Sequence, residues 1–190
     1  MSRVPSVGVK CDLCGKPAVY FRASSGHRLC LDCLGRVLER SIRRRLSPLN
    51  ALKPRARILI PITYYNTLAS IGLADISALL KRGYGSEILI ALPDFVKITK
   101  APERFEKLNV IKVDVEPRPC LTDAVQAIHY DRLWSLKLAQ LLNFNVILMP
   151  LTRTDVTLLA IEIPLRGYED AWSMLGSKAD IHGVSIINAL

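Results

Sequence analysis

The chain has 190 residues, half of them hydrophobic and 23% charged, with a formal net charge of +9. That balance supports a buried core and excludes a largely disordered chain. No apolar run approaches the roughly 18 residues that span a bilayer, and Met1 to Ser6 carries no apolar signal core, so a soluble cytoplasmic protein with no membrane partner is the expectation.

Residues 1–33 are rich in turns and hold four of the five cysteines, spaced Cys11-x2-Cys14-x15-Cys30-x2-Cys33. Two residues between cysteines let a tight turn aim both sulfurs at one ion, and Gly15 relieves the backbone after Cys14. Four thiolates close a tetrahedral shell and leave no open position for water, so the expected ion is a structural zinc. Its binding energy, on the order of 10 kcal/mol, folds a segment too small for its own core. Disulfides are the alternative, rare in the cytosol outside hyperthermophiles. An iron–sulfur cluster is not expected. His27 lies three residues before Cys30 but is not needed as a ligand.

Leu31 to Leu46 follows as a helix, with Leu31, Leu34, Val37, Leu38, Ile42 and Leu46 at spacings of three and four. Arg36, Arg40, Arg43, Arg44 and Arg45 fall largely off that stripe, and Ser47-Pro48 stops the helix. Lys53 and Arg55 continue the charge through a linker. Residues 1–57 hold 13 Lys and Arg against 3 Asp and Glu, whereas 58–190 hold 13 against 14. Basicity confined to one third of a chain is the footprint of a polyanion-binding arm.

From Arg57 short apolar runs alternate with helical patterns. Strands are expected at 58–62, 87–92, 110–115, 146–149 and 184–187. Helices are expected at 66–81, 102–108, 122–142, with Thr122 as a cap, and 154–165, interrupted by Pro164. This order implies β-α-β units: a Rossmann-like α/β domain with a parallel sheet and helices on both faces. The expected organisation is a zinc ribbon plus basic helix over 1–46, a linker over 47–56 and the α/β domain over 57–190. Ligands of such sheets sit beyond the carboxyl ends of the strands.

Cys11-Asp-Leu-Cys-Gly-Lys-Pro-Ala-Val-Tyr-Phe-Arg22, then Cys30-Leu-Asp-Cys33 and the basic helix, resembles the opening of the tRNA 2-thiolation enzymes of the PP-loop ATP pyrophosphatase superfamily. Thr154-Asp155-Val156 followed by Leu165-Arg166-Gly167 resembles that family's Asp-Asp-x-Ala helix ending in Leu-Arg-Gly. Arg132, seven residues before Ala139, is a weaker echo. The resemblance implies an adenine-nucleotide-hydrolase-like fold, tRNA as partner and an ATP loop, Ser-Gly-Gly-x-Asp-Ser, directly after the first strand. This chain has Thr63-Tyr64-Tyr65-Asn66-Thr67-Leu68 there. The family's glycines let backbone N–H groups approach pyrophosphate, and two tyrosines add bulk in that space. Asp94 stands where the family often has an acid near the nucleotide, and Pro93-Asp94 also reads as a turn. Asp155 reads as a helix-start charge or a relic of the motif. Paired cysteines for sulfur chemistry are missing from the α/β part. Cys120 stands alone, and His129 and His182 have no visible partner.

The function implied is a tRNA-binding, non-catalytic subunit of wobble-uridine 2-thiolation, paired with an active thiolase paralogue or acting as a homodimer. The alternatives are a divergent ATP-dependent tRNA sulfurtransferase, and a zinc-ribbon nucleic-acid-binding or regulatory protein.

Overall fold

The computed structural model describes residues 8–23, 25–49, 56–96, 108–116 and 123–189, with only the backbone described for 79–84. Lys53, Arg55, Cys120 and most of the helix expected at 102–108 lie outside the described residues. The chain divides into two compact units, Met1–Arg44 and Arg45–Leu190.

The first unit is small. A two-stranded antiparallel hairpin, β1 (Tyr20–Arg22) and β2 (His27–Leu29), lies between the two cysteine pairs. Helix α1 (Leu31–Leu46) begins directly after Cys30. Leu29 packs with Cys11, Cys30 and Cys33, and Tyr20, Leu34 and Val37 close over them. That cluster is too small to hold a fold by apolar burial alone. The expected apolar stripe on α1 is incomplete. Ile42 and Leu46 are buried, but Leu31 is 72% exposed.

The second unit is built on a six-stranded sheet. Its strands are β3 (Arg57–Pro61), β4 (Glu87–Pro93), β5 (Asn109–Val113), β6 (Val146–Met149), β7 (Lys178–Ile181) and β8 (Val184–Asn188). Their spatial order is β5-β4-β3-β6-β8-β7. All neighbours are parallel except β7, which runs antiparallel to β8 at the edge. The expected parallel α/β architecture is present, with helices α2 (Thr67–Tyr84), α3 (Ala124–Leu141) and α4 (Arg153–Arg166) flanking the sheet.

Alternation along the strands explains the layering. Leu59, Leu89, Ala91, Ile147, Met149 and Ile186 pack in one core with Val125, Ile128, Trp134 and Ala139 of α3 and Leu159 and Ile163 of α4. The alternate residues Ile58, Ile60, Ile88 and Ile90 are equally buried, on the face where α2 packs against β3 and β4. A strand buried on both faces reads as a continuous apolar run, which is why Ile58 to Ile62 and Ile88 to Leu92 stand out in the sequence. Pro61 sits at the end of β3, in register with Ala91, where its missing N–H costs little.

Several details depart from expectation. Helix α3 starts at Ala124 and is capped by Asp123, whose carboxylate accepts from the Gln126 N–H at 2.8 Å; Thr122, the expected cap, lies outside the described residues. Pro164 lies within α4 and the helix ends two residues later, at a Gly167 with φ of 70°. Strand β7 and the 3-10 helix Glu169–Leu175 before it were not read from the sequence. A two-residue turn joins β7 to β8, with positive φ at both His182 (47°) and Gly183 (81°). Such a turn matches the twist of a hairpin. Among the described residues no helix is long and apolar enough to cross a membrane.

Candidate functional site

The four cysteines converge. The Sγ atoms of Cys11, Cys14, Cys30 and Cys33 all lie within 4.8 Å of one another. The first pair sits on a turn closed by the Cys11 N–H to Lys16 carbonyl bond (2.7 Å) and the Gly15 N–H to Cys11 carbonyl bond (2.9 Å). Gly15 has a φ of 74°, a conformation that favours glycine. The second pair uses the start of α1, where the Leu34 N–H donates to the Cys30 carbonyl at 2.9 Å. Two ion pairs join the halves: Lys16 with Asp32 at 2.9 Å, and Arg28 with Asp12 at 3.3 Å. The Arg28 N–H also donates to Asp12 Oδ2 at 2.7 Å, and this bond holds the Asp12 carboxyl below its ordinary range. Cys11, Cys30 and Cys33 are buried, Cys14 is exposed, and none is in a disulfide. Cys14 and Cys30 sulfurs are 3.4 Å apart, well beyond the roughly 2.05 Å of a disulfide. His27 is exposed and stands outside the group.

Four thiols this close share protons unevenly. Burial pushes the Cys11 thiol up, but hydrogen bonds from the backbone of Cys30, Leu13 and Cys14 outweigh it and bring it down to about 6. Cys33 is pushed up to about 12, by its hydrogen bond with Cys14 first and then by burial. A cation at the centre is what would let all four ionise together. The donor set fits a thiophilic metal.

On α1, Arg36, Arg40 and Arg44 recur every fourth residue and are exposed. None has an ion-pair partner among the described residues. Arg43 instead pairs with Glu39 at 2.8 Å, one turn back, with both side chains largely covered. Arg45 is exposed. Arg57, which adds to the basic count of the sequence, is committed to Glu87 at 2.8 Å and stacks on Phe144, 4.6 Å from the ring centre.

At the carboxyl ends of β3 and β6 a hydrogen-bonded group gathers Thr63, Asn66, Thr67, Ser70 and Asp155, with Tyr65 beside it. Thr63 is buried; its N–H donates to Ser70 Oγ at 3.0 Å and its hydroxyl meets the same oxygen at 2.9 Å. Thr67 Oγ1 donates to the Thr63 carbonyl at 2.9 Å. Asn66 caps α2 by accepting from the Ala69 N–H, and its Nδ2 donates to Asp155 Oδ2 at 2.8 Å. Asp155 is buried and completes a capping box with Thr152 at the start of α4. The Tyr65 N–H leans towards Asp131 at 3.5 Å. Burial, then the charges of Asp155 and Glu162, pushes the Tyr65 phenol up. Tyr64 is 57% exposed and meets Phe95 edge-on. The Asp94 side chain is exposed and takes no part in this group; its backbone N–H bonds the Val113 carbonyl.

Residues missed by sequence reading complete the picture. Asp131 is 1% exposed and accepts from Trp134 Nε1 at 3.2 Å. Glu162 accepts from the N–H groups of Ala124 and Val125 and so caps α3 from α4. Arg166 reaches Asp123 at 3.7 Å, and Tyr168 donates to the same carboxylate at 3.1 Å. Thr152 alone carried a readable signal, the Thr-x-x-Asp spacing of a capping box.

No known family and no curated protein matches the sequence. Among solved structures the chain is similar to the U34-tRNA thiolase NcsA from Methanococcus maripaludis with its [4Fe-4S] cluster, at a TM-score of 0.67 and 15% identity. The similarity covers 97% of this chain and 67% of that one. At that identity the likeness establishes the fold. It also corrects one expectation from the sequence, that an iron–sulfur cluster is not to be expected. The neighbour carries a [4Fe-4S] cluster, and four clustered cysteines are a donor set that can bind one.

Proposed function

We propose that this chain serves tRNA thiolation as a tRNA-binding subunit that does not itself activate the tRNA with ATP. The likeness to a U34-tRNA thiolase supports the thiolation setting. The non-catalytic reading rests on the loop after β3. There the N-terminus of α2 is capped by Asn66, whose amide is tied to the buried Asp155. A loop that binds pyrophosphate keeps its N–H groups open to the anion; this one uses its polar groups on itself and adds Tyr64 and Tyr65. An active thiolase then supplies the chemistry, as a heterodimer partner, or the chain works as a homodimer beside one.

The arm supplies the contact. Arg36, Arg40 and Arg44, with Arg45 and with Lys53 and Arg55 of the linker, meet phosphates and fix position more than sequence. The four cysteines hold a metal that shapes this arm. Their sulfurs lie within 4.8 Å of one another, which suits one tetrahedral ion such as zinc, whose ligand sulfurs stand about 3.8 Å apart. The neighbour's cluster favours a second reading, a [4Fe-4S] centre on the same thiolates.

The test is tRNA binding by the purified chain, with a search for a copurifying thiolase. Salt-sensitive binding of tRNA and enhanced thiolation on adding the chain to the thiolase are expected. Absence of tRNA binding at low salt overturns the proposal.

A further inference from the structure

Arg132 carries a charge that no ion pair meets among the described residues. It lies in α3, is 8% exposed, and its Nε has no hydrogen-bond partner. No carboxylate pairs with it among the described residues. The adjacent Asp131 turns its carboxylate to Trp134 and Tyr65 instead. Burial holds the guanidinium below its ordinary range, yet arginine stays charged in proteins. A buried charge without a partner is costly, and folds retain one where something else neutralises it.

Arg132 lines a cavity of about 410 Å³ between α3, the 3-10 helix Glu169–Leu175 and the end strands of the sheet. Val125, Leu136, Met174 and Ile186 give it apolar walls. That is the usual make-up of a small-ligand pocket, apolar with a few fixed polar groups. The exposed side chains of Glu169 and Asp170 also line it. They place negative charge beside the cavity, which disfavours a dianion such as phosphate more than a single carboxylate.

We propose that this cavity binds a small monocarboxylate with an apolar body, its carboxylate on the Arg132 guanidinium and its chain along Val125, Leu136 and Met174. A planar fork of donors matches a carboxylate in two-bond geometry. The site lies outside the metal centre and the loop after β3, and stands independently of the tRNA reading.

The experiment uses the full chain and octanoate as the probe, with octanol and inorganic phosphate as controls. Calorimetry and thermal unfolding are followed for wild type, Arg132→Met and Ala171→Trp, the last placing bulk in the cavity. Octanoate is expected to bind wild type and raise its Tm, to bind Arg132→Met at least tenfold more weakly, and to lose binding in Ala171→Trp. Arg132→Met should be at least as stable as wild type without ligand; if it does not fold, Ala171→Trp decides. Equal binding of octanol and octanoate, preference for phosphate, unchanged affinity in the variants, or no octanoate binding at millimolar concentration overturns the proposal.

Discussion

Asn66 Nδ2 donates to Asp155 Oδ2 across 2.8 Å, joining the residue that caps α2 to the residue that completes the cap of α4. The two positions are 89 residues apart in the chain. This bond joins the carboxyl ends of β3 and β6, the place where sheets of this type take their ligands. Its partners are a buried carboxylate and a neutral amide, so the loop is held by its own groups.

Asn66→Ala removes both a cap and a hydrogen bond to a buried charge. A loss of about 1–3 kcal/mol in unfolding free energy is expected from a cap and a charged hydrogen bond together. Urea unfolding measures it, and a cycle with Asp155→Asn should show coupling of about 0.5 kcal/mol or more for side chains in contact. Strict additivity would mean that the contact is not formed in solution.

The metal centre makes a separate prediction, because within the first unit the four cysteines are held with Leu29 in a small cluster of their own. Cys30→Ser, or removal of metal by a chelator, should unfold residues 8–44 and weaken tRNA binding at least tenfold, while the α/β unit keeps its cooperative transition. Metal and sulfide analysis together with visible absorption identifies the occupant. Zinc in a one-to-one ratio without sulfide marks a single ion, and iron with matching sulfide marks a cluster. Loss of both transitions in Cys30→Ser would show that the units do not fold separately.

The arginines of α1 are predicted to fall into two groups. Replacing Arg36, Arg40 and Arg44 with alanine removes three exposed charges. The slope of log affinity against log salt should shrink by about 2–3, at roughly 0.7–0.9 per phosphate contact. Arg43→Ala breaks the pair with Glu39. It should cost a few tenths of a kcal/mol in helix stability, about the value of a pair one turn apart, and leave the slope nearly unchanged. Equal slopes for wild type and the triple variant would remove these residues from the RNA contact.

How far the sequence reveals this structure depends on the separation of the partners. Cys11, Cys14, Cys30 and Cys33 were legible because a fixed local spacing states the chemistry. The paired apolar runs of β3 and β4 were legible because strands buried on both faces leave no alternation to blur. Thr152 and Asp155 form a local capping box, readable at three residues' distance. Asp131 and Glu162 were not legible. Asp131 meets Tyr65, 66 residues away, and Glu162 caps Ala124, 38 residues away. In the sequence each is simply a charge on a helix. The division among the arginines is also local: Arg43 and Arg44 are neighbours in sequence, and Glu39, four residues before Arg43 on the expected helix, marks Arg43 as the paired one. The turn at His182-Gly183 carried a weak signal, since positive φ is common for glycine but not for histidine.

Titration of the purified chain with ATP and magnesium in a calorimeter tests the non-catalytic reading most directly. The capped, tyrosine-filled loop after β3 predicts no measurable heat of binding up to millimolar ATP. A saturable isotherm with a micromolar Kd would contradict it and assign the chain instead to the ATP-dependent sulfurtransferases.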